Sequence, residues 1–110
     1  MIGYVMVGTN DLNKAISFYD EILKSLNIKR VETNSDYAAY APIEKPAEIE
    51  FYVTKPFDKE KATSGNGTQI SFVTVSRKIV DEFHKTGLKA GGKSEGSGGE
   101  RPPNSGVYYC

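Results

Sequence analysis

A strand pattern followed by a helix pattern occurs twice in this chain, and the repetition restricts the fold more than any other feature. From Ile2 to Thr9 β-forming residues alternate, with Val5 and Val7 on one face and Ile2, Tyr4 and Met6 on the other. Asn10 and Asp11 then offer N-cap oxygens. Leu12, Ala15, Ile16, Tyr19, Ile22, Leu23 and Leu26 recur at helical spacing through to about Asn27. Thr68 to Val75 alternates in the same manner and Ser76 can cap. Ile79, Val80, Phe83 and Leu88 mark the apolar stripe of a second helix that ends at Gly91-Gly92. A shift of 65 positions lays Val5 on Ile70, Val7 on Phe72, Thr9 on Thr74, Ala15 on Val80 and Phe18 on Phe83. Apolar positions coincide in both a strand and a helix, the signature of a duplicated module.

The first copy continues with three extended stretches, Lys29 to Thr33, Tyr37 to Ala41 and Glu48 to Thr54. They are separated by Asn34-Ser35-Asp36 and by Pro42 and Pro46. Module one therefore reads βαβββ over about residues 1–54. A polar connection, 55–67, leads to module two, 68–110. Its helix is followed only by a Gly/Ser/Pro-rich segment from Gly91 to Gly106 and a short apolar end, Val107-Tyr108-Tyr109-Cys110. The sequence predicts one α+β domain, 1–110, of two βαβββ modules with curled mixed sheets around a pocket and helices outside, the second module lacking its last strand. An uncovered sheet edge presents unpaired backbone groups, so a homodimer is the expected assembly.

At 110 residues the chain suits one domain with one core. Fourteen basic and fourteen acidic residues cancel and are scattered, which provides no basic stripe for a phosphate backbone, so nucleic acid is not an expected partner. No apolar run approaches the roughly 20 residues of a membrane span, and the N-terminus lacks the layout of a secretion signal. The expectation is a cytoplasmic protein without a membrane partner. Cys110 is the single cysteine, which leaves no disulfide within the chain and no cysteine cage for a metal.

Several catalytic chemistries lack their residues. Gly65-Asn66-Gly67 and Gly96-Ser97-Gly98-Gly99 do not complete a GxGxxG run, because Ile70 and Arg101 occupy the last positions, and neither has the Lys-Ser/Thr ending of a phosphate loop. The lone histidine, His84, sits beside core-facing Phe83 on the second helix and reads as a boundary residue, which leaves no Ser-His-Asp arrangement. Glu48 and Glu50, two apart on one strand, share a face. They form either a solvated polar surface or a pair in which one carboxylate becomes a general base.

Three pieces of the chain carry a resemblance: GYVMVGTNDLNKAISFYDEIL, KPFDKEKATSGNGTQISFVTVSRKIVDEFHKTGLKAGG and ERPPNSGVYYC. Together they resemble the glyoxalase/bleomycin-resistance/extradiol-dioxygenase superfamily, the vicinal oxygen chelate proteins. The most specific parts are the strand followed by ND-L-x-K-A-x-x-FYD and the P-F-D…A-T-x-GNGT entry to module two. The resemblance implies two βαβββ units around a pocket. Metal-dependent members use a His on the first strand of each module, and later carboxylates, to hold a divalent ion. The matching positions here are Tyr4 and Gln69, the module-one carboxylate falls on Glu50, and the module-two carboxylate would lie beyond Cys110. One carboxylate with two weak donors is a poor set for a catalytic ion, so no metal and no other cofactor is assigned.

Strand alternation places Tyr4, Met6, Gln69, Ser71 and Val73 on the concave side, joined by Glu50 and Tyr52. The lining suits a small organic ligand with polar groups, with Tyr4, Met6, Tyr52, Gln69 and Ser71 as binding residues and Glu50 as the one catalytic candidate. The leading expectation is a metal-free binding protein like the bleomycin-resistance branch. The alternatives are a lactoylglutathione-lyase-like or dioxygenase enzyme with its site completed by a partner chain, and an inactive copy.

Overall fold

The computed structural model describes residues 1–110. Module one supplies β1 (Val5–Gly8), α1 (Leu12–Lys24), β2 (Ile28–Thr33), β3 (Tyr37–Pro42) and β4 (Phe51–Thr54). The second half supplies α2 (Arg77–Lys89) and a ribbon of β5 (Gly99–Glu100) and β6 (Tyr108–Tyr109). The large sheet has the order β1-β4-β3-β2, with β1 parallel to β4 and the other pairs antiparallel. The result is the α+β architecture that the sequence predicts. No helix is long and apolar enough to cross a membrane.

Local chemistry sets the helix limits. Asp11 accepts the Lys14 N–H at 3.0 Å and caps α1, while Lys24 lies in its last turn, where a cation complements the helix dipole. Asn27 then adopts a left-handed φ of 57°, which asparagine tolerates, and the chain reverses into β2. Ser76 caps α2 by accepting the Ile79 N–H at 3.2 Å.

The core lies between α1 and the middle of the sheet. Leu12, Ile22 and Leu23 of α1 meet Ala38 and Tyr40 of β3 and Phe51 and Val53 of β4. The Tyr40 hydroxyl donates to Asp20 at 3.0 Å, and Asp20 also accepts two bonds from the Arg30 guanidinium, at 3.1 and 3.0 Å. A buried phenol thereby finds the polar partner that its ring position demands. Burial, then the charge of Asp20, holds the Tyr40 phenol well above its ordinary pKa.

All nine buried residues lie between Leu12 and Val53, and α2 contributes none. The second half attaches by packing α2 on α1 and through a relay of rings, from buried Phe51 to half-buried Phe72 at 5.4 Å and from Phe72 to half-buried Phe83 at 6.0 Å between centroids.

The structure departs from the sequence reading in module two. Thr68 to Val75 keeps its alternation, with Ile70, Phe72 and Thr74 half-buried and Gln69, Ser71, Val73 and Val75 exposed, yet it forms no strand and no backbone ladder. Alternation specifies which side chains face inward but cannot supply a neighbour for the backbone. The glycine-rich stretch contains β5, which its composition hid. Module one departs only at element ends: β4 begins at Phe51, so Glu48 lies in a turn with its carboxylate on Lys45 at 3.3 Å and does not share a strand face with Glu50.

Two outcomes follow from this core. Leu23→Ala, at a site with no exposure, is expected to lose about 2–5 kcal/mol in urea unfolding. The raised Tyr40 pKa contributes stability that is complete below the unfolded-state value near 10 and is lost as pH rises through the folded value. Urea midpoints should therefore fall above pH 10 less steeply in Tyr40→Phe than in the parent, and equal slopes would sink that assignment.

Candidate functional site

β1 is an outer strand of the large sheet, and Met6, Val7 and Gly8 of β1 share a cleft with Thr68, Ile70 and Phe72 without backbone pairing between them. The space between them opens onto α1 as a cleft of about 730 Å³. Four rings reach it: Phe18 and Tyr19 from α1, Phe51 from β4 and Phe72 from module two. Tyr19 packs at 4.8 Å from Phe51 and 5.2 Å from Phe18, so the floor is a continuous aromatic surface. Thr63, Ser64 and Thr68 on the far rim, and Asp11 and Lys14 at the start of α1, make the mouth polar.

The rim is positioned by a reciprocal side-chain clamp. Asn10 accepts the Ala62 N–H at 2.8 Å and donates to the Ala62 carbonyl at 3.0 Å, holding the connection beside the entry to α1. Gly8 permits this approach, since a Cβ there would lie 3.3 Å from the Ala62 Cβ and 3.8 Å from Pro56. Gly65 and Gly67 take φ values of +75° and +88°, the left-handed turns that carry the connection over the cleft.

A second surface lies on the sheet face away from α1. Tyr4 meets Tyr52 edge to face at 5.1 Å, Tyr52 meets Tyr37 at 5.6 Å, and Met6 stands beside Tyr52 in the parallel register. With Tyr4 58% and Met6 51% exposed, this is an open aromatic face rather than an enclosed site.

Among solved structures, a glyoxalase/bleomycin resistance protein from Albidiferax ferrireducens T118 is 35% identical to this chain, with a TM-score of 0.80 over 92% of this chain and 82% of that one. The chain belongs to the glyoxalase/bleomycin resistance protein family. No protein-family model matches it, and no curated protein does.

In this family member the sequence-predicted site residues divide between places. Tyr4, Met6 and Tyr52 come together on the open face. Glu50 is exposed just before β4; its N–H donates to the Tyr40 carbonyl and its own carbonyl accepts the Val5 N–H, so its main chain splices the sheet together. Gln69 donates to Ser71 at 3.2 Å, and the pair borders a different cavity of about 400 Å³ beside Tyr108, Tyr109 and Cys110. His84 is a boundary residue whose Nε2 lies 3.3 Å from the Ser94 hydroxyl. The metal set that the family's chelating members would require does not assemble. Tyr4 is engaged with Tyr52 and Gln69 with Ser71, and no three His, Cys, Asp or Glu side chains converge on a point. These residues do not fit a divalent ion.

Of the predicted binding residues only Met6 also lines the cleft, and its aromatic floor escaped the sequence reading for a definite reason. Tyr19 sits on the apolar stripe of α1 and Phe72 on an alternating stretch, and both are equally compatible with a closed core. The one local signal was the Gly65-Asn66-Gly67 turn, which forces the connection to fold back over whatever lies between the modules. Asn10→Ala removes both bonds of the clamp. It is expected to accelerate amide exchange over residues 60–68 and to lower stability by about 1–2 kcal/mol, leaving exchange in β3 and β4 unchanged relative to global unfolding.

Proposed function

We propose that this chain is a metal-independent binding protein for a small organic molecule, which it seats in the cleft between the modules. The observation that carries the reading is the cleft itself. At about 730 Å³ it lies within the range of small-molecule sites and combines an aromatic floor with a few polar groups at its mouth. The poor donor chemistry of Tyr4, Gln69 and Glu50 supports binding without a divalent ion. Met6 reaches the cleft from β1 and links it to the open face, where Tyr4 and Tyr52 offer a stacking surface for a ligand longer than the cleft. Cytoplasmic residence belongs to the same proposal.

One observation favours a second reading, a lyase or dioxygenase whose site is completed by a partner chain. The stretch 68–75, which carries Gln69 and Ser71, has no backbone partner, and Val73 and Val75 are 92% and 96% exposed. A homodimer that pairs this stretch would place another chain's side chains beside Gln69, with Glu50 as the candidate base. Sedimentation equilibrium of the parent is expected to show a dimer, and of Val73→Lys with Val75→Lys a monomer, because charges on an edge oppose strand addition. A parent that stays monomeric at millimolar concentration rejects the assembly.

The binding reading is tested by thermal unfolding of chelator-treated protein with a panel of small aromatic and aliphatic compounds, and separately with nickel, zinc, manganese and ferrous ions. A ligand at about 100 times its dissociation constant adds roughly 2.7 kcal/mol, a shift of several degrees. Stabilisation by an organic compound, unchanged by chelator, is the expected result. Stabilisation by a stoichiometric metal ion would overturn it in favour of the enzyme.

A further inference from the structure

The second half repeats module one up to a point, and the place where the repetition stops is open. In module one β1 lies parallel to β4, and β4 lies antiparallel to β3, so β4 is a central strand with a ladder on each side. Its Phe51 and Val53 pack with Leu12, Ile22 and Leu23 of α1 and are 2% and 0% exposed. The shift of 65 positions equates β1 with residues 70–73. β5 and β6 follow α2 as an antiparallel pair, as β2 and β3 follow α1. Yet β6 has a ladder on one side only, and the stretch 68–75 has none.

The cavity of about 400 Å³ lies at that place. It is lined by Gln69, Ile70 and Phe72 of the unpaired stretch and by Tyr108, Tyr109 and Cys110 at the end of β6. From α2 it receives Val80 and Phe83, both half-buried, on a helix that buries no residue. No backbone N–H or C=O from Thr68 to Val75 makes a main-chain hydrogen bond, although the side chains already alternate as a strand's do. An edge of this kind is a template for one more strand.

We infer that this cavity accepts a single extended strand from a partner protein, laid parallel to 68–75 and antiparallel to β6. The register of β1 on β4, carried over by 65 positions, sets the counterpart of Phe51 beside Ile70 and that of Val53 beside Phe72. Both side chains then lie against Val80 and Phe83. The partner is therefore a peptide segment in which two bulky apolar residues, two apart, alternate with polar ones, the chemistry of Phe51-Tyr52-Val53-Thr54. Its main chain supplies the affinity and its alternate side chains the selectivity. A glycine-rich strand would leave Val80 and Phe83 uncovered, and a helix has no backbone groups free to pair with the edge. The inference goes beyond the small-molecule reading and does not rest on it.

The probe is the peptide EIEFYVTK, residues 48–55 of the chain itself, added to the whole protein. In the protein alone, amides of 68–75 are expected to exchange at close to the rate of an unstructured chain. Saturating peptide should slow exchange at 70–73 and 108–109 about tenfold or more and leave β2 unchanged. The same peptide carrying Tyr52→Pro lacks the central N–H and should bind about tenfold more weakly. Direction is read from Cys110, the single cysteine, which is exposed and lines the cavity. A bromoacetyl group on the peptide N-terminus should alkylate its thiolate, with bromide leaving, about tenfold faster than one on the Lys55 side chain, since antiparallel pairing sets the start of the peptide beside the end of β6. Equal labelling from both ends overturns the inference, as does an absence of protection at about 1 mM peptide. Exchange at 68–75 that is already slow, and quickens on dilution, also overturns it, because a second copy then holds the edge. None of these results bears on the ligand of the cleft, which has its own test.

Discussion

The closure of α1 over β3 and β4 takes Leu23, Tyr40, Phe51 and Val53 out of water, and the remaining structure depends on that contact. Each such side chain contributes roughly 1.5–3 kcal/mol when fully buried. The polar end of Tyr40 is accommodated by Asp20, which Arg30 in turn holds in place. Module two has no comparable interior. Its helix buries no residue, and it reaches the core through half-buried groups, Ile70, Phe72, Phe83 and Ala90, with Phe72 against Phe51. The stability of the two halves is accordingly unequal, and the cleft lies on the boundary between the firmly packed and the loosely packed part.

That asymmetry explains why module one was legible in the sequence and the candidate site was not. Asp11 and Ser76 cap where their positions predict, and Tyr37 to Thr54 pairs through the turns that Asn34 and Pro42 announce, because those features are set within a few residues. The duplicated pattern placed Ile70 and Phe72 inward correctly. Whether 68–75 joins a ladder depends on a neighbour far away in the chain, which periodicity does not encode. The expected gathering of Tyr4, Met6, Tyr52, Gln69 and Ser71 required the two first strands to share one concave face. Here the first three form an open aromatic surface and the last two border another cavity, whereas the cleft draws on the helix side of the same sheet.

Family membership and site chemistry therefore carry different information in this molecule. Identity of 35% at a TM-score of 0.80 establishes common architecture with a glyoxalase/bleomycin resistance protein. Architecture alone does not carry a reaction, which resides in particular side chains at particular distances. Tyr4 and Gln69 are each engaged with a neighbour and lie apart, while rings and hydroxyls gather at the margin of the sheet.

Gly8 has a consequence that reaches past its own strand. It is where the connection lies flat on the end of β1, with the Ala62 methyl over the place a side chain would occupy. The absent Cβ is a latch seat: it lets the flap formed by 62–68 settle while Asn10 fastens it. A methyl group at this position would press on the Ala62 methyl and oblige the connection to give by a few tenths of an ångström, a strain felt at the rim of the cleft without altering any residue of its aromatic floor.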